Sequence, residues 1–101
     1  MLDREFFLGF IKIHILYHAA EEPIFGVEIA RELARHGYNI SPGTLYPVLH
    51  RLEKEGYLER SSQLVNGKVR KYYQATDAGK RALEQSKKKI RELVTEIIEG
   101  R

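Results

Sequence analysis

The apolar positions of this chain change period along its length. Over residues 41–56, SPGTLYPVLHRLEKEG, Leu45, Val48, Leu49 and Leu52 recur at i, i+3, i+4 and i+7, which predicts a helix buried along one stripe. Ser41 stands as its N-cap, Pro42 at its first position and Gly56 just past its end, residues that start and stop helices for backbone reasons. Gly43, Pro47, His50, Arg51 and Lys54 then project on the opposite side. Residues 4–20 predict an earlier helix with too many apolar positions for one stripe. Phe6, Phe10, Ile13 and Tyr17 form one face, and Phe7, Leu8, Ile11 and Ile15 form another on roughly the far side. Such a helix needs two surfaces to pack against, and in a chain of 101 residues the second is expected to be another subunit.

Glu21, Glu22 and Pro23 end that helix, and GVEIARELARHG predicts a second, with Val27, Ile29, Ala30, Leu33 and Ala34 as its buried side and Gly37 as its cap. Two short helices joined by residues 37–40 make a helix-turn-helix pattern. Tyr57 then covers Leu52 across Gly56, and the strand-like runs YLERSSQL and KVRKYYQA flank Val65-Asn66-Gly67-Lys68. Asn-Gly in that setting predicts a hairpin with a tight I′ turn, because both residues tolerate positive φ. A two-residue turn puts Leu58 opposite Ala75 and Arg60 opposite Tyr73, and it leaves Lys68, Arg70 and Lys71 toward the outer end against no acid. Thr76 caps a last helix running to about residue 99. Its positions Leu83, Ser86, Ile90, Leu93 and Ile97 follow the 4-3 spacing of a helix-pairing seam, with Val94 and Ile98 beside them.

Composition narrows the classes. There is no cysteine, so neither disulfides nor thiolate metal sites can form, which fits a reducing cytoplasm. A net charge of +3 and a pI of about 9.2 make the location of charge matter more than its total. Residues 6–20 are the one membrane candidate, and Lys12, His14 and His18 interrupt them short of the roughly 20 apolar residues a span needs. Asp3 and Glu5 argue against a leading signal segment. His14 and His18 are spaced i, i+4 with Glu21 and Glu22 nearby, yet no glutamate follows His14 directly and no third ligand is clear, so neither a metal site nor a cofactor is expected. No nucleophile motif, phosphate-cradling loop or paired carboxylates stand out, and no enzyme is expected. Ser41, Gly43 and Thr44 are small enough for a nucleic-acid backbone to approach the helix N-terminus, whose amides favour phosphate. Beside that helix pair the basic hairpin reads as a wing tracking a phosphate backbone.

The order of parts resembles the PadR-like family of winged helix-turn-helix transcriptional regulators. The resemblance is carried by FGVEIARELARHGYNISPGTLYPVLHRLEKEGYLE and NGKVRKYYQATDAGKRAL, most specifically by ISPGTLYPVLHRLEKEGYLE and RKYYQATDAG, and with the first helix it spans nearly the whole chain. It implies a homodimer whose first and last helices interlock, the Ser41 helix in a major groove and the wing on adjacent backbone. The single helix after the wing is similar to the family's shorter branch. Val27 stands where the family usually has tyrosine and Ala75 where it usually has leucine.

The expected fold is therefore mostly α with a small β-hairpin: a winged helix-turn-helix over residues 1–75, with its wing at about 57–75, and a dimerisation helix over 76–101 packed into the same single domain. The expected function is a cytoplasmic, sequence-specific DNA-binding transcriptional repressor that meets a palindromic operator as a homodimer. Tyr38, Ser41, Gly43, Thr44, Tyr46, His50 and Arg51 are the expected contacts around the groove, and Lys68, Arg70 and Lys71 those to phosphates. Phe7, Ile11, Leu83, Ile90, Leu93, Val94 and Ile97 are expected at the dimer interface. Any effector is expected to be apolar or aromatic and to enter beside Phe6, Phe7, Phe10 and Tyr17. The alternative is a winged helix that binds protein instead of DNA, and salt dependence separates the two.

Overall fold

The computed structural model describes residues 2–101, so residue 1 of the expected N-terminal unit lies outside the described residues. In chain order the elements are α1 (Leu2–Glu21), β1 (Ile24–Phe25), α2 (Gly26–Arg35), α3 (Pro42–Lys54), β2 (Leu58–Val65), β3 (Lys68–Ala75) and α4 (Asp77–Leu93), continued by a π-helical turn over Val94–Ile98. One face of α1 closes the core through Ile11, Ile15 and Ala19, each fully buried. Ile29 and Leu33 of α2, the whole predicted stripe of α3, and Leu58, Tyr73 and Ala75 of the sheet meet them. The opposite face of α1 stays open, with Phe6, Phe10 and Tyr17 at 55, 38 and 45 % exposure.

Ile11 and Leu83, expected at a subunit interface, lie inside the single chain's own core. They occupy the face of each helix that turns inward, so their burial needs no partner. Val27 and Ala34 of α2, expected in the core, are exposed. A helix of 10 residues covers its side of a small core with Gly26, Ile29 and Leu33, and with Ala30 partly buried against it.

The hairpin has the predicted register, with Leu58 opposite Ala75 and Arg60 opposite Tyr73. Asn66 and Gly67 carry φ of 52° and 77°, the paired positive values of an I′ turn. Unanticipated is β1, whose Ile24 and Phe25 pair with Tyr73 and Tyr72 and make β3 the centre of a three-stranded sheet. A strand of two residues has no period to read.

Both short helices end in the same device. Gly37, at φ 87°, donates to the Ala34 carbonyl at 3.0 Å while the Tyr38 amide donates to Leu33 at 2.9 Å. At the end of α3, Gly56 and Tyr57 repeat this on Glu53 and Leu52. These are Schellman caps, and the left-handed residue in each needs glycine. The second cap is also the anchor of α4. Thr76 donates its hydroxyl to the Gly56 carbonyl at 2.6 Å, accepts from the Gly79 amide at 3.0 Å, and donates its own amide to the Tyr57 carbonyl at 3.1 Å. That carbonyl sits so close to Gly79 that a Cβ there would collide with it. The ion pairs lie at the surface, where each is worth about 0–1 kcal/mol, so packing and caps hold the fold.

The end of α2 returns to α1. The rings of His14 and His36 stack with centroids 4.6 Å apart, and Tyr38 meets His14 at 5.6 Å and Phe7 at 5.2 Å edge-on. Burial, and then the neighbouring His36 and His18, hold the His14 imidazole below its ordinary value of 6.5, so the fold favours the neutral ring.

Gly79→Ala tests the anchor. The added methyl must displace backbone, so the variant is expected to lose about 2 kcal/mol or more of stability, the upper range of overpacking costs, read as a lower urea midpoint. An unchanged midpoint would show that α4 is not seated against Tyr57.

Candidate nucleic-acid interface

Burying Leu45, Val48, Leu49 and Leu52 turns a ridge of α3 outward, built from Gly43, Pro47, His50 and Lys54, all exposed. Pro47 removes the amide that would bond the Gly43 carbonyl. Because both residues face solvent, water can satisfy that carbonyl, and the interior proline costs less here than on the core side. At the N-terminus Ser41 occupies the N-cap in extended backbone, with no cap bond from its side chain. Its hydroxyl pairs instead with that of Thr44 at 3.2 Å, and its carbonyl accepts from Thr44 and Leu45.

The ridge runs between two grooves. On the sheet side, a cleft of about 560 Å³ is lined by Phe25, Gly26, Val27, Arg31, Tyr46, Tyr73 and the β3 residues 68–71. Its cations Lys68, Arg70 and Lys71 face no carboxylate in that lining, and Arg31 stands at its border with the acidic cleft beside His18. On the α1 side, a smaller groove of about 170 Å³ is lined by Arg4, Lys12 and Arg51 with Leu8, Gly43, Thr44, Pro47 and Val48, again without an acid. A chain of net charge +3 has thus concentrated positive charge on both flanks of one helix. The carboxylates Glu21, Glu22, Glu28 and Glu32 gather elsewhere, in a cleft beside His18.

Local packing fixes several of these side chains. Gly26 lets α2 approach α3, since a Cβ there would come within 2.6 Å of the Tyr46 hydroxyl oxygen. The Arg70 guanidinium lies 4.1 Å over the Phe25 ring, a cation–π contact made possible by β1. Phe25 also meets Tyr72 edge-on at 5.4 Å. On the other face of the sheet Tyr73 is buried. Burial pushes its phenol above the ordinary range and the Arg60 guanidinium pulls it back. Arg60 is held in turn by Glu53, Nε to Oε2 at 3.5 Å, which ties the wing's base to α3.

The expected contact residues do not all converge. Ser41, Gly43, Tyr46, His50 and Arg51 are exposed along α3, with Thr44 half-buried beside them. Lys68 and Lys71 are exposed on the wing, opposite Val65 and Ser62. Arg70, expected as a free phosphate ligand, is half-buried and engaged with Phe25. Tyr38 is half-buried, and its ring packs on Phe7 and His14. Arg31, Arg4 and Lys12 were not anticipated, and Lys54, expected on the solvent side of α3, was not among the expected contacts. Lys54 follows His50 by four residues and so shares its ridge, and Arg31 follows the exposed Val27 by four. Lys12 read only as an interruption of an apolar run.

The sequence profile of the transcriptional regulator PadR-like family matches residues 15–85. The chain is 45% identical over 97 residues to the transcriptional regulator Rv3488 of Mycobacterium tuberculosis, covering 96% of this chain and 91% of that one. Among solved structures, a PadR family regulator from Eggerthella lenta superposes with a TM-score of 0.78 at 32% identity, covering 95% of this chain and 81% of the other. A PadR-like transcription factor from Bacteroides fragilis does so at 0.77 and 29%, covering 95% and 97%.

The Gly26 contact makes a coupled prediction. Gly26→Ala is expected to destabilise by no more than about 1 kcal/mol, the low end of overpacking, because the exposed Tyr46 ring can swing its hydroxyl aside, and Tyr46→Ala to remove that cost in the double variant. A double-mutant cycle in urea reads the coupling, and strict additivity would mean the two residues do not meet.

Proposed function

The chain belongs to the PadR-like family of transcriptional regulators, and from that membership we propose that it binds operator DNA as a homodimer. In this reading α3 enters a major groove with the ridge of Gly43, Pro47, His50 and Lys54 toward the bases. Tyr46, Thr44 and Arg51 reach the groove walls, and Lys68, Lys71 and Arg31 contact phosphates. The carrying observation is the pair of acid-free basic grooves on either side of α3. Phosphate neutralisation needs that placement, whereas an apolar protein interface does not.

Dimerisation is supported by the exposed rings of α1 together with Ile90, Leu93 and Ile97, at 37, 54 and 68 % exposure, on helices that already pack on one another. A second copy would cover both, with residues 1–75 serving as the DNA-binding unit and 76–101 as the pairing helix. Two-fold pairing sets the two α3 helices about 34 Å apart on one face of a palindromic operator, and a dimer bound across a promoter represses by occlusion in the cytoplasm. An apolar or aromatic effector would find Phe6 and Phe10, in edge contact at 4.7 Å, beside that interface.

Replacing Ile90 and Ile97 together by Asp is expected to convert dimer to monomer or unfolded chain, because charge cannot be buried there unpaired. Sedimentation finding an equally stable dimer for the variant would exclude this interface.

The DNA contacts are separable by titration at several salt concentrations on operator fragments selected from genomic DNA and on random DNA. Lys71→Ala and Arg31→Ala should each weaken both complexes alike and lower the salt slope by about one ion. His50→Ala or Arg51→Ala should cost about 1–3 kcal/mol mainly on the operator if the side chain meets a base edge. Binding that is insensitive to salt would point to a protein partner, and wing variants that erase operator preference would reverse the assignment of the two elements.

A further inference from the structure

The contact between α1 and the end of α2 brings three imidazoles together. His14 and His18 lie one helical turn apart on α1, and His36 is the C-cap residue of α2. A ring nitrogen from each lies within 4.8 Å of the others. The two histidines of α1 alone make a weak pair of ligands, and the third comes from a helix distant in sequence. Beside them, Glu32 Oε2 is 3.8 Å from His18 Nε2, and the adjoining cleft of about 150 Å³ carries Glu21, Glu22, Glu28 and Glu32 around a single Arg31. Glu28 is engaged with the Phe25 amide and Glu32 with Arg35, yet the surplus of negative charge draws cations toward the cluster.

We propose that His14, His18 and His36 form a binding site for one divalent transition-metal ion of the zinc class per chain. Three imidazole nitrogens select zinc, nickel, cobalt or copper over magnesium and calcium, which prefer oxygen. With no cysteine in the chain and three protein ligands, the fourth position is left to water or to Glu32, the pattern of an open and exchangeable site. Tetrahedral zinc at its usual bond lengths sets ligand nitrogens roughly 3.4 Å apart. Loading therefore draws the three rings together by about 1 Å and turns His14 and His36 out of their stack. Both can turn, because His36 is exposed and His14 only half-buried. The bound ion clamps α1 to the residue just before Gly37, and so to the turn between α2 and α3.

The test uses zinc chloride titrated into tag-free protein by calorimetry near pH 7 in a non-chelating buffer, with thermal melts in parallel. Wild type is expected to bind one ion per chain and to melt at higher temperature with zinc, since a ligand of the folded state alone stabilises it. His14→Ala and His36→Ala should each weaken binding by at least the roughly tenfold that loss of even a supporting group costs. Their combination should abolish the zinc-dependent rise in melting temperature. His36 lies at the surface, so its variant folds whether or not His14→Ala does. The absence of wild-type binding up to about 100 µM zinc, equivalent to less than roughly 5.5 kcal/mol of affinity, overturns the proposal, as does unchanged binding by the double variant.

Discussion

The arrangement of this protein depends on one knot of backbone and side chain where α3 ends and α4 begins. The Gly56 and Tyr57 carbonyls accept the Thr76 hydroxyl and amide, the Thr76 oxygen caps α4 through Gly79, and Gly79 has no side chain to keep the two segments apart. Four elements leave from this point: α3 and β2 on one side, β3 and α4 on the other. The angle between α3 and α4 is set here. Neither helix can tilt without breaking a bond or forcing an atom into Gly79's place. An N-cap of this kind is worth about 0.5–2 kcal/mol for stability, but its positional effect extends to the far end of both helices.

Charge supplies the second organising constraint, through segregation instead of excess. No charged side chain is buried among the described residues, so none is committed to the core and each is available to shape the surface potential. The grooves beside α3 hold cations without acids, and the cleft beside His18 holds four glutamates around Arg31. A potential of this shape steers a polyanion to one face while leaving the overall charge low.

Periodic features were legible in the sequence and contextual ones were not. The stripe of α3, the Asn66–Gly67 turn and the Thr76 cap each follow from residue type at fixed spacing, and each is present. The pairing of Ile24 and Phe25 with β3 was hidden, because two residues carry no period, and with it the seat of Arg70 over Phe25. The inward placement of Ile11 and Leu83 was hidden for a different reason: a helix apolar on two sides does not announce which side its own chain covers, and a seam read from spacing does not announce that its first member, Leu83, turns into its own chain's core. His36 escaped as a neighbour of His14 because that contact crosses between elements and leaves no spacing to recognise.

The π-helical turn over Val94–Ile98 has a consequence for how the last helix can be matched by another. Each i→i+5 bond takes up one residue more than an α-helical bond, so along Val94–Ile98 the side chains fall progressively behind an uninterrupted α-helix, by up to about 100° at the end of the turn. Ile97 and Ile98 consequently leave the line of Leu83, Ser86 and Ile90 and wrap toward a new quadrant. The helix behaves as a vernier, with its two stretches ruled at different intervals, so a partner matched to the first stretch is out of step with the second. Only a surface that curves around the axis can follow both, which favours an enclosing grip over a straight seam.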